Sequence, residues 1–161
     1  MSQKDSLDPI SQKVQDALNR LNIESRIIKL KKPARTALEA AEALNCQLGQ
    51  IAKSLVFRGK ETQKPFLLIV SGVNHVSEPG MNHRLGEAIE IANPNYVQEK
   101  TGFAIGGVPP LGHIQPIITF LDQDLFRHQE IWAAGGTPQT VFKITPKQLE
   151  QFTQGEIVKI V

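Results

Sequence analysis

The chain has 161 residues, 40% of them hydrophobic and 21% charged, a balance that suits one folded domain with a real core and not a disordered or membrane-embedded chain. The formal net charge is only +2, yet residues 1–64 hold 12 Lys/Arg against 7 Asp/Glu, and Arg26, Lys29, Lys31, Lys32 and Arg35 crowd together. Such a stretch fits a polyanion partner or a strand edge guarded by lysines.

Residues 6–22 read as a surface helix, with Asp8 as cap, Pro9 in the first turn and Ile10, Val14, Leu18 and Leu21 at helical spacing. Residues 24–30 read as a short strand. Thr36 and Glu39 have capping-box spacing ahead of an alanine-rich helix that ends at Asn45. Ile51 to Arg58 alternates as a strand, with Ile51, Lys53, Leu55 and Phe57 on one face and Ala52, Ser54 and Val56 on the other. Phe66–Val70 is apolar on both faces, as a central strand would be, and pairs with its predecessor as a hairpin. A helix is expected over 78–88 with Met81, Leu85 and Ala88 inward, and a short one after an asparagine cap at 93 or 95. Strands follow at 116–121, 141–144 and 156–161, and Thr145 caps a helix running from Pro146 to about Phe152. Many short strands with helices between them predict an α+β fold, a mixed, barrel-like β-sheet flanked by helices. No repeat or domain boundary is visible, so residues 1–161 read as one domain with residues 1–23 as an N-terminal helical extension. The polar start of the chain lacks the apolar core of a signal peptide, and no apolar run approaches the length of a membrane span. Cys46 is the single cysteine, so no internal disulfide is possible and a cytoplasmic setting is expected.

The chemistry concentrates in two places. Thr101–His113 begins apolar and then turns irregular: Gly106 and Gly107 free the backbone, Pro109 and Pro110 stiffen it, and Gly112 and His113 follow. The free N–H groups of such a loop, on Gly106, Gly107 and Val108, suit an oxygen on which negative charge builds. A sharp turn between two strands accounts for the same residues, and on residue types alone it is the stronger reading. Lys53 lies on an apolar strand face, where its amine either reaches water at the strand end or meets an anion. Gly135-Gly136-Thr137-Pro138 makes a second glycine–proline loop. The four histidines match no metal spacing, no nucleophile motif occurs, and neither a metal nor a cofactor is expected.

The residues Thr101-Gly-Phe-Ala-Ile-Gly-Gly-Val-Pro-Pro-Leu-Gly-His113 resemble the signature loop of the YbaK/ProX-type family, trans-editing aminoacyl-tRNA deacylases related to the editing domain inserted in bacterial prolyl-tRNA synthetases. Thr36–Leu44, Gln50–Phe57 and Trp132–Phe142 resemble further family segments in the expected order, so the likeness covers roughly residues 24–161. It implies a mixed, barrel-like sheet flanked by helices, with Lys53 as the family's strand lysine, Gly106 to Pro110 as its loop, and His113 as the histidine after it. As implied roles, Lys53, Gly106, Gly107 and His113 serve catalysis, and Val108, Pro110, Gly135, Gly136 and Thr137 bind substrate. Pro109 stands where relatives often carry serine or another small residue, and Ser77–Arg84 departs from the charged helix start of the family.

The implied activity is hydrolysis of the ester of a mischarged tRNA, above all tRNA(Pro) carrying a small wrong amino acid. The partners are the RNA acceptor end and prolyl-tRNA synthetase, with no DNA and no membrane. Two alternatives stay open: a non-catalytic tRNA- or synthetase-binding module of the same fold, and a small-molecule ester or thioester hydrolase.

Overall fold

The computed structural model describes residues 7–161. The polar start of the chain, and with it the first residue of the helix expected over 6–22, lies outside them. Helix α1 spans Pro9–Arg20, with Asp8 in the cap position but making no capping bond through its side chain. Its buried stripe is rotated from the expected one: Val14, Ala17 and Leu18 face inward, whereas Ile10 and Leu21 are exposed. Two polar residues, Ser11 and Gln15, enter the stripe because the fold supplies them with partners. The Ser11 hydroxyl lies 3.0 Å from Thr140 Oγ1, while Gln15 donates to Ser25 O at 2.9 Å and accepts from Ile27 N at 2.9 Å. That amide has taken ladder positions of the strand expected over 24–30, which shrinks to β1, Ile28–Lys29.

Helix α2 (Ala37–Leu44) starts at the Thr36 cap, whose hydroxyl accepts from Glu39 N, and ends at Asn45 in the left-handed region. A 3₁₀ turn, Leu48–Gln50, delivers β2 (Ile51–Gly59), which forms an antiparallel hairpin with β3 (Pro65–Ser71), Ala52 opposite Ser71 through Arg58 opposite Pro65. Helix α3 (Glu78–Leu85) stops before Ala88 because Gly86 takes φ +81°. Then come β4 (Ile89–Ile91), α4 (Pro94–Thr101, capped by Asn93), β5 (Ile118–Asp122), a 3₁₀ turn over Gln123–Arg127, β6 (Ile131–Ala134), β7 (Thr140–Ile144), α5 (Pro146–Thr153) and β8 (Glu156–Val158).

The eight strands form one mixed sheet in the order β1-β7-β6-β2-β3-β5-β8, with β4 branching from β2. β6 runs parallel to the start of β2, and β4 runs antiparallel to its end. Residues Phe66–Val70 of β3 are all buried, as their apolar run predicts. Leu67 and Ile69 join a main core with Val14 and Leu18 of α1, Val56, Phe103, Phe142 and Leu149. Phe66, Leu68 and Val70 join a second core with Phe57, Met81 and Phe120 on the other face. A small third cluster seats α2 on Ile51 through Ala40 and Ala41.

Candidate active site

Period-2 alternation puts Ala52 and Val56 in the main core and Ile51, Leu55 and Phe57 against the two smaller clusters. Lys53 therefore emerges between those two clusters. Its Nζ donates to the carbonyl oxygen of Asn74 at 2.9 Å. Burial pulls the Lys53 ammonium below its ordinary value, and the charge of Asp122 partly opposes that. Asn74 is itself held: its Nδ2 donates to Asp122 Oδ2 and to Asp124 Oδ2, each at 2.8 Å. Asp122 is fully buried and also accepts from Ser71 N and Asp124 N, both at 2.9 Å. Asp124 is held below the usual carboxylate range, first by the Asn74 bond and also by Arg127. An ammonium has three donors, so Lys53 can hold Asn74 and a further acceptor together.

The first glycine loop leaves α4 through Gly102 at φ +86°, and Thr101 Oγ1 accepts from Phe103 N at 3.0 Å. Gly106 takes φ +90°, which favours glycine. Gly107 has another reason: a Cβ there would lie 2.6 Å from Thr137 Cα and 2.7 Å from Gly136 O, so the two glycine loops touch backbone to backbone. In the second loop, Thr137 N donates to Thr140 Oγ1 at 3.2 Å and the two threonine hydroxyls lie 2.8 Å apart. Gly136 packs beneath Ile10 and Val14 of α1.

The strand, the start of α2 and both loops enclose a cleft of about 460 Å³, within the usual range for a small-molecule site. Lys53, Gly106, Val108 and Thr137, four of the residues expected at the site, line it. Pro110 and His113 instead border a separate hollow with α1 residues Ala17 and Arg20, and Gly107, Gly135 and Gly136 line neither.

Two expectations change with this geometry. Gly107 N already donates to Ala104 O at 3.0 Å, so three free amides become two: among the described residues, Gly106 N and Val108 N have no acceptor. His113 turns away from the cleft. Its Nε2 bonds the Pro109 carbonyl at 2.7 Å, and its ring stands edge-on to Phe103 with centroids 6.2 Å apart. The Pro109 carbonyl fixes Nε2 as the nitrogen that carries the proton, and burial pushes the imidazole below its ordinary value. An imidazole so placed stiffens the loop from behind.

Several cleft residues carry no sequence signal of their own. Trp132 on β6 and the half-exposed Ile105 read as ordinary apolar residues. Ser54 is the exception, a polar residue on the strand face that Ala52 and Val56 send into the core. Arg35 reaches the rim of the cleft, and Arg26, Lys29, Lys31 and Lys32 are exposed along the chain leading to it. Among the described residues no group of three His, Cys, Asp or Glu could hold a metal ion, and no helix is long and apolar enough to cross a membrane.

A profile of the aminoacyl-tRNA editing domain matches residues 31–152. The chain belongs to the aminoacyl-tRNA editing domain family. This is the YbaK/ProX-type group that the glycine–proline loop resembles. The editing-domain fold recurs in a solved structure of a candidate trans-editing enzyme for prolyl-tRNA synthetase, with a TM-score of 0.91 and 42% identity over 96% of this chain and 98% of that one. The uncharacterised protein YwhH of Bacillus subtilis (strain 168) is 32% identical over 136 residues, 84% of this chain and 86% of its own length. A proline–tRNA ligase of Limosilactobacillus fermentum is 32% identical over 107 residues, which are 63% of this editing-domain chain and 19% of the ligase.

Proposed function

We propose that this editing domain acts in trans as an aminoacyl-tRNA hydrolase, cleaving the ester between a small wrong amino acid and the 3′ end of tRNA(Pro). The observation that carries the reading is the pairing, across one cleft, of the Lys53 ammonium with a stiff loop edge at Gly106 and Val108. The acyl oxygen sits against the Gly106 and Val108 amides, which stabilise the negative charge of the tetrahedral intermediate. Lys53 engages the phosphate or ribose of the terminal adenosine and fixes the ester. The attacking group is water, with the substrate's own 2′-hydroxyl as an available assistant. No side-chain nucleophile is needed, because positioning and aligned amides supply the barrier lowering. His113, Pro110 and the Gly135–Gly136 turn hold the two loops in register from outside the cleft.

A synthetase built for proline cannot fully reject smaller amino acids, since one methylene is worth only about 1–3 kcal/mol. A second site with a small acyl pocket removes what the first admits. The likeness to a candidate trans-editing enzyme for prolyl-tRNA synthetase and to proline–tRNA ligase supports tRNA(Pro) as substrate and the synthetase as partner. The exposed cations from Arg26 to Arg35 suit the phosphates of an acceptor stem.

The test is deacylation of a panel of mischarged tRNAs, with Ala-tRNA(Pro), Cys-tRNA(Pro) and Pro-tRNA(Pro) side by side. The wild type is expected to clear the small mischarged species and spare Pro-tRNA(Pro). Lys53→Ala removes a charged hydrogen bond, typically about 1.5–3 kcal/mol, so kcat/KM should fall by about ten- to a hundredfold. Equal rates for the two proteins would take Lys53 out of the mechanism, and binding without turnover would favour the non-catalytic module.

A further inference from the structure

Strand β2 is covered by β3 along one edge but only at its two ends along the other. β6 is in register with Ile51 and Ala52, and β4 with Phe57 to Gly59. The antiparallel ladder determines which groups are left over. Ile51 O accepts from Gly72 N on the β3 side, and Val56 O accepts from Ala92 N on the β4 side. Odd-numbered residues of β2 thus turn their N–H and C=O toward β3, and even-numbered ones toward the opposite edge. Ser54 presents both main-chain groups to the gap, where neither β6 nor β4 has a residue in register with it. Its hydroxyl is also buried and without a hydrogen-bond partner among the described residues. Ser54 lines the same cleft as Lys53, Gly106 and Val108.

Unpaired main-chain groups facing a cleft and a buried orphan hydroxyl on one residue call for water or a ligand to satisfy them, and a ligand that matches all three displaces that water. An aminoacyl ester carries the complementary set. Its α-nitrogen and acyl oxygen belong to one residue, spaced as the N–H and C=O of a strand residue are, and an added strand residue is what an open sheet edge accepts. We propose that the aminoacyl residue of the substrate fills the gap in β2 as a one-residue antiparallel bridge. Ser54 N–H joins the Gly106 and Val108 amides as a third donor to the acyl oxygen, Ser54 C=O accepts from the α-ammonium, and Ser54 Oγ accepts a second ammonium hydrogen. The bridge rests on the deacylase reading and specifies its substrate class: esters of α-amino acids with a free primary ammonium. A prolyl group fits less well, because its ring carbon occupies one of the directions in which a primary ammonium presents N–H.

The test uses the full chain, labelled with ¹⁵N, and two probes that cannot be hydrolysed. One is 3′-(L-alanylamino)-3′-deoxyadenosine, and the other is its 3′-propionylamino counterpart, which lacks the ammonium. With the alanyl probe, the Ser54 amide signal should shift and its hydrogen exchange should slow. The alanyl probe should bind at least about tenfold tighter than the propionyl probe, which forfeits both ammonium hydrogen bonds, to Ser54 C=O and to Ser54 Oγ. Ser54→Ala should cut that preference to about threefold or less by weakening the alanyl probe alone. Equal affinities for the two probes, a Ser54 amide unmoved at saturation, or no saturable binding of the alanyl probe would each overturn the bridge. The amide readout needs no variant, so it stands even if Ser54→Ala misfolds. Turnover is measured separately on Ala-tRNA(Pro). A protein that binds as described but leaves this ester intact keeps the bridge and loses the deacylase reading, whereas one that hydrolyses it without probe preference loses the bridge alone.

Discussion

Gly107→Ala tests whether the two glycine loops are built as one wall. The added Cβ would stand 2.6 Å from Thr137 Cα and 2.7 Å from Gly136 O, both backbone atoms that cannot swing aside. Restoring an ordinary contact of 3.4 Å requires the loops to part by about 0.8 Å. Overpacking of this kind costs about 1–3 kcal/mol, which for a chain of this size lowers Tm by about 2–12 °C. The same movement separates Thr137 from Gly106 across the cleft, and a misplacement near 1 Å costs up to about a hundredfold in rate. Thermal unfolding followed by circular dichroism reads the first effect, and kcat/KM on Ala-tRNA(Pro) reads the second. Gly86→Ala is the control. Gly86 has φ +81° with nothing within 4 Å, so alanine there adds backbone strain without collision and should leave deacylation unchanged. A Gly107→Ala protein with wild-type Tm and wild-type turnover would refute the argument that loop-to-loop contact demands glycine.

Two further predictions follow from the groups around the cleft. His113 is held below its ordinary pKa of 6.5 by burial, with the Pro109 bond in partial opposition, so above 6.5 it is neutral both folded and unfolded. As pH falls below that value the unfolded chain takes the proton first, and stability declines until the depressed folded value is passed. Tm against pH should therefore fall more steeply below pH 6.5 for the wild type than for His113→Gln, which can still donate to Pro109, and parallel curves would remove His113 as the cause. Asp122→Asn must turn an NH₂ toward Ser71 N and Asn74 Nδ2 or toward Asp124 N, so a donor meets a donor whichever way it rotates. The expected loss is about 1–3 kcal/mol in denaturant unfolding. The alkaline limb of the deacylation profile should move to lower pH, because the charge that raises the Lys53 pKa is gone. An unmoved limb would separate Asp122 from Lys53.

Local rules were legible in the sequence wherever one element settles the matter alone. Thr36 before Glu39 and Thr145 before Pro146 each mark a helix start that the fold keeps, and of the two asparagines that could cap the helix between them the fold uses Asn93 and not Asn95, because a cap is a bond between near neighbours in the chain. The alternation of β2 separates Lys53 from Ala52 and Val56 by strand geometry alone, and the apolar run of β3 announces a strand buried on both faces. The glycine–proline run likewise reads as irregular backbone from its own residues, and no helix or strand covers residues 102–117.

Tertiary structure decided what depends on partners distant in the chain. Gln15 replaces ladder bonds of residues 25 and 27 and shortens β1, and Ser11 is buried because Thr140, on another strand, meets it. His113 faces Phe103 and the Pro109 carbonyl, not the cleft, and Gly107 spends its amide on Ala104. The gap at Ser54 exists because β6 leaves β2 after Ala52 and β4 arrives only at Phe57. Sequence spacing names which backbone groups a strand offers, but whether a neighbour takes them depends on where other strands end, and that is fixed only when the sheet assembles.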